Sequence, residues 1–264
     1  MINSKENKLI KHIKALNQKK YRDEYKEYIV EGIKMSLEAT KYAKILNILV
    51  NKELLGDKLS QIEREIKKNK LEDKLEYVSE NIFKSICDTK TPQGILIVAK
   101  QSDVETKISD DTLFVLDDIQ DPGNLGTIIR TLESAGYKDL IVSRNTADAY
   151  NTKVIRSTMG AIFRLNIYRL DEELKDYLQK IKKEGYKIAV STLDNSNYIY
   201  DVSFKDKMAI VIGNESQGVK KEIQEIADIR LKIPMIGKTE SLNASVATSI
   251  IAYEKVRQTL TKEK

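Results

Sequence analysis

The stretch L-K-I-P-M-I-G-K-T-E-S-L-N-A-S-V-A-T-S-I-I-A-Y, residues 231–253, decides how the rest of the chain is read. Its apolar opening reads as a short strand broken at Pro234, which has no backbone N–H to give to a ladder. A polar loop with Gly237 follows. A helix then begins near Asn243, because Val246, Ile250, Tyr253, Val256 and Leu260 recur at helical spacing. Ser241 and Asn243 are both candidate N-caps, since each short side chain accepts a backbone N–H. A loop of this kind offers amides and polar side chains to a ligand.

Two earlier stretches are built to meet it. One is F-V-L-D-D-I-Q-D-P-G-N-L-G-T-I-I-R at 114–130, the other M-A-I-V-I-G-N-E-S-Q-G at 208–218. Each is an apolar strand that ends in a Gly/Asn/Asp turn and enters a helix. In an open parallel sheet such carboxyl-end loops converge on one crevice.

Taken together, N-x-x-x-x-x-R after one strand, I-G-N-E-x-x-G after another and I-P-M-x-G-x-x-E-S-L-N-A-S-V-A resemble the three motifs of the SpoU–TrmH family. These are SPOUT-class RNA ribose 2′-O-methyltransferases. The resemblance covers roughly residues 110–260. Any one motif alone is weak, and three in order are specific. It implies a deep trefoil knot at the C-terminus, which pattern reasoning would not propose because knots are nearly absent among folds. It implies S-adenosylmethionine as methyl donor, held in the knot near Thr192 and Leu193, Ile212, Gly213 and Asn214, Ile233 and Met235, with Leu242. It points to Arg130 as the residue that activates the ribose hydroxyl, with Asn124, Glu215, Ser241 and Asn243 positioning it and the ribose. It also implies a homodimer through the catalytic domain, and the adjacent Ile250 and Ile251 give the last helix more than one face to bury.

Arginine is a permanent cation, so a simple general base is a poor description of Arg130. Either a substrate phosphate or Glu215 assists proton removal, or Arg130 only stabilises the developing oxyanion. Residue by residue, plainer roles exist. Asn124 after Pro-Gly is a default N-cap, Arg130 a surface arginine, Glu215 a loop carboxylate.

Nucleotide hydrolysis is the competing glycine-loop chemistry. Gly213-Asn-Glu-Ser-Gln-Gly218-Val-Lys220 is a near miss to the phosphate loop. Its lysine is one place late, and no Ser or Thr follows. Gly237-Lys-Thr239 has the ending without the first glycine, so methyl transfer is preferred.

The first 100 residues alternate differently. A helix is expected over 4–18, strands at 28–32, 45–50, 75–78 and 94–99, and helices at 33–43, 57–68 and 79–88, the last capped by Ser79. The pieces N-x-x-I-K-x-x-x-x-L-x-x-K-K-Y-R, Y-I-V-E-G and K-T-P-Q-G-I-L resemble the ribosomal-protein-like substrate-binding domain that often precedes the catalytic domain in this family. Residues 1–100 hold 21 Lys+Arg against 15 Asp+Glu, and the remainder 24 against 25, which gives the net +5. The excess sits in Lys5, Lys8, Lys11, Lys14, Lys19, Lys20 and Arg22. Such a patch reads as phosphate attraction or as a solvated helix face. Arg156, in K-V-I-R-S-T-M-G, reads as a phosphate ligand or a structural ion pair.

The expected organisation is therefore α/β: an RNA substrate-binding domain over 1–100, a linker over 101–111, and a parallel-sheet SPOUT domain over 112–264. Its strands fall at 112–116, 139–142, 165–168, 186–191, 208–212 and 229–233. Helices are expected over 124–135, 150–160, 172–184 and 219–226, with the last ending near 259. The single cysteine, Cys87, and the single histidine, His12, allow no multi-cysteine or histidine-rich metal site. They read as a small core hydrophobe and a solvated side chain, and no metal is expected. No apolar run approaches a membrane span and no signal-peptide pattern opens the chain, so a cytoplasmic protein is expected, and the resemblance implies an RNA enzyme acting on ribosomal RNA. The alternatives are a noncatalytic RNA-binding protein that kept the fold, and a resistance-type ribosomal RNA methyltransferase of the same family.

Overall fold

The structure, a computed structural model, describes residues 1–101, 108, 111–193 and 196–261. The expected linker over 101–111 lies almost entirely outside the described residues. Two compact units emerge. One comprises 1–103 with 150–164, the other 104–149 with 165–264. The segment 150–164, expected within the second half, thus groups with the first.

The first unit runs α1 (Lys8–Ala15), α2 (Lys19–Tyr25), β1 (Glu27–Glu31), α3 (Ile33–Tyr42), β2 (Lys44–Val50), α4 (Lys52–Leu55), α5 (Leu59–Lys68), β3 (Leu75–Tyr77), α6 (Glu80–Ile86) and β4 (Ile95–Lys100). The sheet order is β1-β4-β2-β3. β4 is antiparallel to both neighbours, and β3 is parallel to β2. Ile10, Ile13 and Leu16 of the first helical segment pack with Ile29, Leu96 and Val98 of the sheet and with Phe83 of α6. The single helix expected over 4–18 starts later, where Asn7 accepts the Leu9 N–H at 2.9 Å. Ser79 sits at the N-cap of α6 but makes no side-chain capping bond.

The second unit runs β5 (Thr112–Leu116), α7 (Pro122–Ser134), β6 (Asp139–Val142), then, after α8 (Thr152–Ser157) of the first unit, β7 (Asn166–Arg169), α9 (Leu174–Lys183), β8 (Lys187–Ser191), β9 (Asn197–Tyr198), β10 (Met208–Ile212), α10 (Lys221–Ile226), β11 (Ile229–Lys232) and α11 (Ala244–Leu260). Its strands are ordered β7-β6-β5-β10-β8-β11-β9, and every pairing is parallel. Side chains alternate across a strand. Leu113, Val115, Ile188, Val190, Ala209 and Val211 line one face, against Leu174, Leu178 and Ile181 of α9 and Ile223 of α10. Phe114, of opposite parity, meets the Tyr137 ring edge-on at 5.1 Å. A parallel sheet covered on both faces explains why β5 and β10 are unbroken apolar runs.

The chain leaves β5 towards β6 and β7 at one edge and returns to fill the other side with β8, β10 and β11. The strand order therefore reverses beside β5 and β10. Ligands bind at such a switch point, outside the carboxyl ends of the strands. No helix among the described residues is long and apolar enough to cross a membrane.

Candidate active site

The loop after β5 sets the geometry. Asp118 takes a left-handed backbone, φ +58°, and Asp121 accepts the Asn124 N–H at 2.8 Å, with Pro122 in the first turn of α7. Proline there costs the helix no bond, because its missing N–H would have had no partner. Asp121 is thus the cap, and α7 starts earlier than the expected 124. The Asn124 side chain is thereby released for long-range use.

That use is a lock between three segments. Asn243 donates its amide to Asn124 Oδ1 at 2.8 Å. Asn124 donates its own amide to Glu215 Oε1 at 2.8 Å. Asn243 Oδ1 is occupied by the Ser245 N–H at 2.8 Å, the Ser245 hydroxyl at 2.6 Å and the Val246 N–H at 3.4 Å, so it caps α11 as its sequence position suggested. These partners fix which end of each amide is oxygen. Glu215 also accepts the Gln120 and Asp121 N–H groups, both at 3.2 Å. Burial pushes its carboxyl up, but the donors from Asn124, from its own backbone and from Gln120 and Asp121 outweigh burial and leave it below its ordinary value. Glu215 is therefore a carboxylate at neutral pH that already accepts three hydrogen bonds. Such a group is a weak proton acceptor.

The loop after β10 is equally specified. Asn214 and Gly218 exchange backbone bonds at 3.1 and 2.9 Å. Asn214 Oδ1 accepts from Ser216 N and Gln217 N at 2.9 and 3.2 Å, and its amide reaches the Asp118 carbonyl at 2.8 Å. Gly213 packs so closely on Gly218 that an added Cβ would lie 2.1 Å from the Gly218 carbonyl carbon. Lys220, the late lysine of the near-miss phosphate loop, binds Asp117 and Asp118 instead, at 3.3 and 2.8 Å. Burial holds the Asp117 carboxyl above its usual range despite Lys220. For Asp118 burial also works upward, but Lys220, Ser143 and Asn145 overcome it and the carboxyl lies low. The lysine is thus committed to the sheet end.

Beside the lock lies a cavity of about 390 Å³. All eight residues expected at the methyl donor line it: Thr192, Leu193, Ile212, Gly213, Asn214, Ile233, Met235 and Leu242, with Glu215 and Ser241. Gln224, Ala244 and Ala247, which no motif singles out, also line it. The volume falls in the range of small-molecule sites, roughly 300–1,000 Å³. The wall mixes apolar side chains with loop amides and carbonyls, and so fits an adenine and an amino-acid tail. Arg130 is exposed on α7. It is six residues beyond Asn124, roughly 9 Å along the helix axis, and it makes no ion pair or hydrogen bond among the described residues. Ser241 is exposed at the cavity. Among the described residues no three His, Cys, Asp or Glu gather as a metal site.

In the first unit Lys5, Lys8, Lys11, Lys19 and Lys20 are exposed. Arg22 is not part of that face. It is buried, and its guanidinium donates to the Leu16 carbonyl at 2.7 Å. His12 is also engaged rather than solvated, at 2.6 Å from Glu27. Arg156 pairs with Asp88 at 3.2 Å. Cys87 is only half-buried, with its thiol pushed up by burial first and Glu31 second.

An open parallel sheet whose switch-point loops wrap a cofactor-sized cavity beside an Asn–Glu–Asn lock defines an α/β enzyme class that handles a small donor. The comparisons narrow it. The SpoU rRNA methylase family matches residues 111–253, and an MRM3-like substrate binding domain matches residues 7–97. The 23S rRNA (guanosine(2553)-2′-O)-methyltransferase RlmP of Bacillus subtilis is 32% identical over 96% of this chain and 97% of its own. A putative RNA methyltransferase of the TrmH family from Porphyromonas gingivalis superposes with TM-score 0.83 at 26% identity, over 98% of this chain and 99% of that one. The AdoMet-bound rRNA methyltransferase of Sinorhizobium meliloti does so at 0.81 and 28%, covering 97% of both chains. The chain belongs to the SpoU rRNA methylase family.

Proposed function

We propose that the protein transfers the methyl group of S-adenosylmethionine to a ribose 2′-hydroxyl of ribosomal RNA. The observation that carries this is the Asn124–Glu215–Asn243 lock beside a cavity lined by the residues of the second and third motifs. The cofactor, when bound, supplies an already activated methyl on sulfur. The chain must align the attacking oxygen and help its proton leave. Asn124 and Glu215 hold the start of α7 against the cofactor loop, and α7 carries Arg130. Glu215, ionised and already accepting three hydrogen bonds, is a poor base, which leaves a substrate phosphate for proton removal or Arg130 as an oxyanion stabiliser. Tritium transfer from labelled cofactor to ribosomal RNA, with a nucleoside digest to locate the methyl, tests the proposal. Tight binding of S-adenosylhomocysteine with no transfer to protein-free ribosomal RNA or ribosomal subunits would favour a noncatalytic RNA binder.

Residues 1–100 are proposed as the domain that recruits RNA, through the exposed lysines of α1, α2 and the preceding turn. Reversing Lys8, Lys19 and Lys20 to Glu is expected to weaken RNA binding and to lower the salt slope by about one for each phosphate no longer neutralised. Cofactor affinity should stay as in the wild type. Filter binding across a salt series decides, and unchanged RNA affinity refutes the assignment.

A deep C-terminal trefoil knot, a cytoplasmic location and a homodimer complete the proposal. For the dimer, Val246, Tyr253 and Leu260 lie 45%, 47% and 60% exposed along α11, while Ile251 is buried. One apolar helix face is thus used by the core and another is left over, and a two-fold dimer covers such a patch with its own copy. Val246→Glu with Tyr253→Glu is expected to give a monomer mass by light scattering where the wild type gives twice that. A monomeric wild type at micromolar concentration overturns it.

A further inference from the structure

The first unit encloses a second cavity, of about 270 Å³. Met35 and Ile95, buried at 7% and 2% exposure, form its apolar floor, with Pro92 and Cys87 beside them. The loop over it is fixed. Glu31 is buried and its carboxylate accepts the Asp88 N–H at 2.7 Å, the Thr89 N–H at 3.3 Å and the Thr89 hydroxyl at 2.9 Å. Gly94 turns with φ +84°, and a Cβ there would stand 2.8 Å from the Leu55 nitrogen. A wall held this firmly loses little entropy when a ligand arrives.

Two of its donors have no acceptor among the described residues. Gln93, which lines the cavity, accepts the Ile33 N–H on Oε1 at 2.9 Å; this fixes the amide and leaves its NH₂ without an acceptor among the described residues. Arg156 is oriented by Asp88, which also takes the Thr152 hydroxyl at 3.0 Å. Its second terminal nitrogen, Nη1, is buried without a hydrogen-bond acceptor. A buried donor in that condition marks a missing partner. Lys34 adds an exposed cation at the rim.

We propose that this cavity takes one unstacked nucleotide of the RNA substrate, its base over Met35, Pro92 and Ile95 and its phosphate on Arg156 and Lys34. The size suits a single base with its sugar. The spare donors suit the acceptor-rich edge of a base and a phosphate. Proteins read RNA mostly through such splayed bases. The inference rests on the RNA methyltransferase reading and names where the substrate domain grips the RNA. It keeps the Arg156–Asp88 ion pair in place and has the phosphate meet the accessible part of the same side chain, which is 34% exposed.

The test uses the full chain and protein-free 23S ribosomal RNA. Thr91 is exposed at the mouth of the cavity, so Thr91→Trp plugs it from a solvent position. Thr91→Trp is expected to weaken RNA binding about tenfold, to lower the salt slope through the lost phosphate contact, and to leave cofactor affinity unchanged. Arg156→Ala is expected to weaken it similarly and to reduce the slope by about one. Ultraviolet cross-linking of the wild type should place a nucleotide on residues 87–93. Wild-type RNA affinity in Thr91→Trp, with cross-links confined to the lysines of α1 and α2, overturns the pocket and leaves the methyltransferase reading standing. A wild type that binds cofactor but neither protein-free ribosomal RNA nor ribosomal subunits overturns both. If Arg156→Ala does not fold, Thr91→Trp alone decides.

Discussion

Gly213→Ala is expected to abolish cofactor binding and lower stability. The backbone of Gly213 is not left-handed, so the cost is steric. A methyl group at this position would sit 2.1 Å from both the Gly218 carbonyl carbon and the Val219 nitrogen, and 2.4 Å from the Gly218 oxygen. Neither is the end of a flexible side chain, so the loop from Asn214 to Gly218 must open. With it go the Asn214–Gly218 bonds and the position of Glu215 in the lock. A forced fit of this kind costs about 3 kcal/mol, roughly 6–12 °C in Tm for a domain of this size. Affinity for S-adenosylhomocysteine should fall at least about a hundredfold, since the displaced loop forms the cavity wall. Gly218→Ala is the control. Its φ is +69°, but a Cβ there meets nothing within 4 Å, so its only cost is that of the left-handed backbone, about 1 kcal/mol. Calorimetric titration of both variants separates the two costs. If Gly213→Ala binds the product like the wild type, the loop after β10 is not the cofactor wall.

How much of the molecule is legible in the sequence follows from how local each feature is. Strands β5, β6 and β10 fall where apolar runs place them, because a strand buried on both faces leaves an uninterrupted apolar signature. The cap of α7 is misplaced by sequence because Asp-Pro-Gly-Asn offers two candidate caps. Only the Asp121–Asn124 bond tells them apart, and that bond in turn frees Asn124. The Asn124–Asn243 contact spans 119 residues, and no local rule reports it. The three motifs expose it through their joint presence alone. Arg22 is the opposite case. Its charge pattern suggests phosphate, whereas burial and the Leu16 carbonyl make it a brace. Residues 150–160 read as one helix of the second half. Only 152–157 are α-helical, and the segment 150–164 joins the first unit through pairs such as Arg164–Glu38 at 2.9 Å and Arg156–Asp88. β9, two residues long, carries too little pattern to be read at all.

Arg130→Ala should fold, bind cofactor and lose most turnover. The apolar Leu125, Ile128, Ile129 and Leu132 bury one side of α7 completely, whereas Arg130 is exposed and contributes no bond to the fold among the described residues. Substitution at such a position changes stability by roughly 0.5 kcal/mol or less. Its placement is nevertheless defined, because the Asp121 cap and the Asn124–Glu215–Asn243 lock fix the start of the helix that carries it. Removing a single stabiliser of a developing oxyanion typically costs about 10²–10³ in turnover, and that is the loss expected here, with KM for the cofactor little changed. Arg130→Lys should be nearly as poor, since a compact ammonium does not reproduce the planar fork of the guanidinium. The pH profile discriminates further. Glu215 has a lowered value, so whatever stability its ionised form gives the lock is present above its ordinary 4.5 and is lost only as pH falls through the lower folded value. Glu215 should therefore impose no acid limb between about pH 6 and 9. An acid limb near pH 7 that Glu215→Gln removes would make Glu215 the base. Near wild-type methylation by Arg130→Ala would leave the family and the cofactor in place and remove the mechanism.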